Sequence, residues 1–445
     1  MGRWRKHPAA ASMIALSVTM AAVAGHAQTA IADGHCPEPA GERQDVPEHL
    51  KTLVAEAKTV EGPNGITVDF VAHPLPSYPG KPWSHWGEGL LASNGHYYTA
   101  IGDHHGPDGN AFLYDYDPVA KTLRAVGDVL DAYGAHDEGA WGYGKVHGRI
   151  SEDSCGLLYF STYWGSRRGG LEYAGSYQGD LLMRYDPASQ QLINLGVPMP
   201  KMGSPSTQMW SERGLFYGEA NHPVTRDSDW PEGKLFWVYA LAEQQVVFQS
   251  EQLIDHGSGR EIAVDRDGRA YYSGAGRDLL RYDPDTNAEQ LISAFPHAGK
   301  LRAATGPAPD GKIFMTTNKD NRAYLFDPQS TAFEDLGPLP SDAASLALSA
   351  SGEEAYFTPG AHGQGRGLGF PLMAIDRNGT TRTIVELGPL IEAAGGPYPA
   401  GTYSYSTDPE HPGNIYILAN AGPTGSGDVF GQPLVIVVHL PESER

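Results

Sequence analysis

Asp267-Gly268-Arg269-Ala270-Tyr271-Tyr272, followed closely by Arg281-Tyr282-Asp283-Pro284, is the stretch whose reading decides the fold. A turn glycine leads into an aromatic, β-prone run, and a second run closes on Asp-Pro, a turn signal. The first phrase recurs along the chain. Its copies are Asn94-Gly95-His96-Tyr97-Tyr98, Cys155-Gly156-Leu157-Leu158-Tyr159-Phe160, Arg213-Gly214-Leu215-Phe216-Tyr217, Asp310-Gly311-Lys312-Ile313-Phe314, Ser351-Gly352 leading to Ala355-Tyr356-Phe357, and Gly413-Asn414-Ile415-Tyr416-Ile417. The second phrase recurs at Tyr114-Asp115-Tyr116-Asp117-Pro118, Arg184-Tyr185-Asp186-Pro187 and Leu325-Phe326-Asp327-Pro328. A period of about 40–65 residues is that of a four-stranded propeller blade.

The sequence therefore predicts an all-β protein, a seven-bladed β-propeller, with blades at 85–135, 145–200, 203–254, 259–297, 300–339, 343–392 and 402–440. The strand Ile66-Thr67-Val68-Asp69-Phe70-Val71 and the late strand Leu434-Val435-Ile436-Val437-Val438 are expected to share the final blade and close the ring, which leaves no sticky sheet edge. Pro47 to Lys58, with Leu50, Leu53, Val54 and Ala57 at helical spacing, predicts a short N-terminal helix. The expected organisation is a signal peptide over 1–27, an extension with that helix over 28–65, and the propeller over 66–445.

The N-terminus carries Arg3, Arg5 and Lys6, then an apolar run from Met13 to Ala24 too short to span a bilayer. Ala22-Val23-Ala24 and Gly25-His26-Ala27 are small-residue cleavage sites, so secretion or a periplasmic location is expected. In such a compartment Cys36 and Cys155, the 2 cysteines of the chain, can form a disulfide that ties the extension to a blade. A formal net charge of -21 argues against a nucleic-acid or anionic-membrane partner. A monomer is expected.

In a propeller the first strand of each blade lines the central channel. Those strands carry His85 and Glu88, His147 and Arg149, Ser204, Thr207 and Gln208, Arg260 and Glu261, Arg302, and finally Tyr403 and Tyr405. The loops after the second strands bring Asp103, His104 and His105, then Trp164, Arg167 and Arg168, then Asn221, His222 and Arg226 to the same face. These loops are long in the first three blades and short in the next two, which suits a cleft for an extended ligand. An acidic protein that gathers several arginines around one mouth calls for carboxylate or sulfate groups on its ligand, since a guanidinium grips such a group with two parallel hydrogen bonds. In Lys145-Val146-His147-Gly148-Arg149-Ile150, alternation puts His147 and Arg149 on one face, within reach of one small group. Gly102-Asp103-His104-His105-Gly106 offers paired imidazoles with a carboxylate, as a metal site or as an oriented base. No nucleophile elbow or phosphate-binding glycine loop is present in the sequence.

On the inner-strand histidine of Lys-Val-His-Gly-Arg, the inward arginine at 260 and the tyrosine at 217, the chain resembles the seven-bladed polysaccharide lyases, ulvan lyases especially. Oligogalacturonate lyases are a more distant likeness, whose clustered metal-binding histidines and glutamine are not evident. The resemblance implies a histidine and a tyrosine as base and acid, and an arginine on the uronate carboxylate. It assigns these roles to His147 or His105, to Tyr217, and to Arg260. Arg149, Trp164, Arg168, His222, Arg302 and Tyr405 are the expected substrate contacts, with Trp164 stacking on a sugar face. The expected activity is β-elimination on an anionic, uronic-acid polysaccharide with no cofactor required for the chemistry; a structural calcium or zinc ion stays open. Two other readings remain: a non-catalytic propeller that binds a glycan or a protein, and a metal-dependent propeller hydrolase or lactonase.

Overall fold

The computed structural model describes residues 43–78, 80, 84–103, 109–134, 142–163, 177–221, 234–251 and 260–445. Its strands form seven antiparallel sheets arranged as the blades of a propeller. The fourth blade shows the plan: Ala263–Val264, Ala270–Ser273, Asp278–Asp283 and Ala288–Ala294 pair in sequence order. The repeated phrases have distinct jobs in it. The Asp265 carboxylate accepts the backbone N–H groups of Asp267 and Arg269 and the Tyr271 hydroxyl, which fixes the turn into the second strand. Gly268 sits there at φ 76, a left-handed conformation open to glycine, and a Cβ on it would run into the Trp210 ring of the preceding blade. The aspartate of the second phrase caps the next turn: Asp117, Asp186, Asp283 and Asp327 accept the N–H of Val119, Ala188, Asp285 and Gln329. This is an Asx turn, the reason the Asp-Pro pair recurs.

Neighbouring blades meet through aromatic packing. Phe236 stacks on Tyr272 at 4.2 Å between ring centroids, nearly parallel, and Tyr217 packs edge-on against Tyr282 at 5.8 Å. Such pairs contribute about 0.5–1.5 kcal/mol each beyond their burial, and they explain why the second strands are tyrosine-rich.

The ring closes as the sequence predicts. Thr67–Ala72 pairs antiparallel with Leu434–His439, Thr67 opposite His439 and Ala72 opposite Leu434. Asp69 on the closing strand accepts from Lys121 of the first blade and contacts His439 across the seam.

The N-terminal helix expected over 47–58 does not form. Residues 48–52 make turns, and Val54–Glu56 and Lys58–Glu61 are strands. The reason is the unpaired outer edges nearby. Arg43–Asp45 adds to Gln191–Asn194 of the second blade, Val54–Glu56 to Thr122–Asp128 of the first, and Lys58–Glu61 to Thr67–Ala72 of the last. Pairing with an existing edge satisfies backbone groups that a helix this short would barely hold. Leu50 is buried between these additions. The helices described are Val129–Tyr133, capped by Asp128, and Leu387–Ala393. Among the described residues no helix is long and apolar enough to cross a membrane. The expected signal peptide lies outside the described residues.

Candidate functional site at the propeller axis

Backbone contacts around the axis bring the first strands of three blades together. Glu88 N–H donates to the Gly148 carbonyl, Ile150 N–H to the Glu88 carbonyl, and Arg149 N–H to the Thr207 carbonyl. Gly148 permits this approach, since a Cβ on it would collide with Thr207. The His147-Gly148-Arg149 segment is thereby pressed to the axis, with the two side chains facing a shared pocket.

That pocket is lined by His147, Arg149, Arg260, Glu261, Arg302 and Tyr403, with Glu88 and Trp86 beside them. It spans about 340 Å³ counted to its open mouth, but only about 20 Å³ admits the centre of a water molecule. A ligand group entering it must therefore displace side chains already in contact.

Three arginines from three blades reach the pocket in different states. Arg149 is held by Glu88 at 2.7 Å, with Glu261 3.6 Å from the same nitrogen. Arg302 is paired with Asp342 at 3.2 Å and faces the Tyr403 ring at 5.6 Å. Arg260 has no carboxylate partner among the described residues; its Nη1 lies 2.8 Å from His147 Nε2. The Nδ1 of His147 lies 2.7 Å from the Pro205 carbonyl. A carbonyl and a guanidinium leave one arrangement: Nδ1–H donates to Pro205, and Nε2, without a proton, accepts from Arg260. Burial, reinforced by the charges of Arg260 and Lys145, holds the His147 pKa well below the usual imidazole range. The imidazole is neutral at physiological pH, with its lone pair turned into the pocket.

Lys145 lies over the Trp86 ring at 4.3 Å. His362 stands at the rim, edge-on to Tyr403 at 5.2 Å; burial, with Arg302 and Arg260 adding, lowers its pKa to about 4. Tyr403 is buried, and its hydroxyl has no hydrogen-bond partner among the described residues.

Of the residues singled out from the sequence, the structure thus brings together His147, Arg149, Arg260 and Arg302. Tyr217 is elsewhere: it is fully buried between the third and fourth blades, and its hydroxyl donates to the Gly268 carbonyl at 2.7 Å. It has neither access to the pocket nor a free proton to give. Tyr405 also misses the pocket, packed in the core of the last two blades against Thr358. A bulge explains the exchange. Pairing of Pro399–Thr407 with Asn414–Ala421 slips between Thr402 and Ser404, so Tyr403 turns to the channel and Tyr405 to the core. His105, Trp164, Arg168 and His222 lie outside the described residues, as does Cys36. Cys155 is disulfide-bonded. Among the described residues no three His, Cys, Asp or Glu side chains converge to hold a metal ion.

No family model matches the chain, and no curated protein matches it. Solved structures do. Virginiamycin B lyase from Staphylococcus aureus superposes with a TM-score of 0.52 at 10% identity, over 84% of this chain and 100% of that one. Oligogalacturonate lyase from Vibrio parahaemolyticus gives 0.53 at 10% identity, over 91% and 100%. A chain of the mitotic checkpoint complex gives 0.55 at 10% identity, over 93% and 100%. Identities this low establish the propeller fold and nothing narrower, and the fold carries lyases and assembly components alike.

Proposed function

We propose that the chain is a lyase that cleaves a uronate-containing anionic polysaccharide by β-elimination in the axial pocket. The observation that carries this reading is the contact between Arg260, a guanidinium with no acidic partner among the described residues, and the bare Nε2 of a neutral histidine. The two groups that the reaction requires, an anion clamp and a base, are already adjacent. Lyase-named neighbours with the same fold are consistent with it.

The chemistry follows from the side chains. A uronate carboxylate entering the pocket draws Arg260 from His147, because a bidentate pair with an anion outcompetes one bond to a neutral nitrogen. Nε2 is then free. Neutralising Arg260 also removes one of the charges that depress the imidazole, so its basicity rises as substrate binds. His147 takes the proton from the carbon beside the carboxylate. The electron pair left behind forms the double bond to the next carbon, and the bond from that carbon to the glycosidic oxygen breaks. Arg260 stabilises the enolate-like charge as it develops, commonly the largest electrostatic contribution in such a reaction. Arg302 and the Tyr403 hydroxyl are placed to orient the sugar.

An N-terminal stretch with the residue pattern of an export signal, the disulfide at Cys155 and the acidic bulk fit the proposed action outside the cytoplasm on a polysaccharide. Ulvan, pectate, alginate and glycosaminoglycans, each incubated with the purified protein, test the proposal through the ultraviolet absorbance of an unsaturated uronate. A rise on one polymer is expected; a flat trace on all of them refutes it.

A further inference from the structure

The elimination leaves one requirement unmet: the departing oxygen needs a proton, and Tyr217, the residue expected to give it, is sealed between blades. We infer that the carboxyl pair Glu88–Glu261 on the pocket wall is the proton donor to the leaving group. This rests on the lyase reading above.

The geometry carries the inference. Glu88 comes from the first blade and Glu261 from the fourth, and both converge on one nitrogen of Arg149, at 2.7 and 3.6 Å. Meeting at one nitrogen puts the two carboxyls close enough to interact electrostatically. Both are almost completely buried, yet both line the pocket that holds His147 and Arg260. Chain connectivity fixes their relation to the base. Arg149 follows His147 by two residues, and Glu261 directly follows Arg260. The pair and the base thus belong to the wall of one pocket.

Two buried carboxylates facing one guanidinium cannot both stay ionised at modest cost, and sharing one proton relieves the repulsion. The groups facing them are Arg149, Arg302, His147 and Arg260, and of these only Arg149 makes contact. Burial, with Glu88 adding and Arg149 opposing, raises Glu261 to about 8, and burial raises Glu88 as well. At neutral pH the pair holds a proton that it can release when an alkoxide forms beside it. The balance closes: His147 gains the carbon-bound proton, the carbon–oxygen bond breaks with its electrons on oxygen, the pair protonates that oxygen, and exchange with water returns His147 and the pair to their starting states.

Glu261→Gln and Glu88→Gln keep the shape and a hydrogen-bond donor but carry no acidic proton. The test measures kcat, KM and their pH dependence on the cleaved polymer for the wild type and both variants, with melting curves to verify folding. Infrared titration of the protonated-carboxyl band is run in parallel on all three. The wild type is expected to lose activity as pH rises through about 8, with a carboxyl band fading over the same range. At least one folded variant should lose kcat by about 10²–10⁴-fold, with KM nearly unchanged, the alkaline limb gone and the band diminished. Two folded variants that retain the wild-type rate and alkaline limb overturn the donor role and leave the lyase reading standing. A wild type that cleaves no polymer overturns the lyase reading and the donor role with it, even if the carboxyl band titrates.

Discussion

Replacing Arg260 with alanine perturbs the one cation in the axial pocket that no described carboxylate neutralises. Among the described residues its side chain forms a single hydrogen bond, 2.8 Å to His147 Nε2, so its removal costs little stability. On a bound uronate it would form two charge-assisted hydrogen bonds, each worth about 1.5–3 kcal/mol. Only the part that strengthens as the carboxylate becomes enolate-like lowers the barrier. Loss of a comparable charge-stabilising donor costs about 2.7–4 kcal/mol, or about 10²–10³ in rate. Arg260→Ala should therefore reduce kcat/KM by at least that factor. Arg260→Lys, which keeps the charge but not the planar fork, should fall between the two. A second readout is independent of turnover. Arg260 is among the charges that depress the His147 imidazole, so the His147 pKa, followed by NMR, should rise in Arg260→Ala. The assay is the initial rate of ultraviolet absorbance on the cleaved polymer. A variant within about threefold of wild type, a difference under 1 kcal/mol, together with an unmoved imidazole, refutes the reasoning.

His147→Ala should lower kcat by about 10²–10⁴ while leaving polymer binding, measured by calorimetry, within a few-fold of wild type. Tyr217→Phe should leave the kinetics unchanged and cost about 1–3 kcal/mol in denaturant unfolding, because the buried Gly268 carbonyl loses its donor. Asp69 tests the closing seam. Burial would raise its pKa, but hydrogen bonds from His439, Lys121 and Thr59 outweigh that and hold it well below the usual carboxylate range. A depressed folded-state pKa gives stability that is present above the unfolded value, about 3.9, and lost as pH falls below it. Asp69→Asn should destabilise the protein near neutral pH and flatten the loss of stability in acid, as measured by unfolding at a series of pH values.

The fold was readable because its repeat rests on local chemistry. The aspartate that caps a turn and the glycine at positive φ must recur wherever the blade recurs, so Asp283-Pro284 and Gly268 carry their meaning in the sequence. Pairing of 66–72 with the C-terminal strand was readable from the alternation at 66–71, the apolar run at 434–438 and the need of a ring to leave no open edge. The strands at 43–61 were not: they form because edges of three blades offer partners, and helical spacing at Leu50, Leu53 and Val54 gives no hint of those edges. The site was legible to the same depth. The inner-strand position in each blade placed His147, Arg149, Arg260 and Arg302 at the axis, and the structure has them there. Tyr403 and Tyr405 share a parity in sequence, and only the bulge at Thr402–Ser404 decides which one faces the channel. The proton shared by Glu88 and Glu261 depends on contact between blades far apart in the chain, and His362 reaches the rim from a loop of the sixth blade. Neither leaves a local signature.

The most direct test of the account is the chemical identity of the product. Mass spectrometry of oligosaccharides released from a uronate polymer distinguishes elimination from hydrolysis, because elimination leaves a new non-reducing end lighter by one water. Unsaturated ends with the wild type, and none with Arg260→Ala, are predicted. Hydrated ends, or an intact polymer from every uronate source, would contradict it.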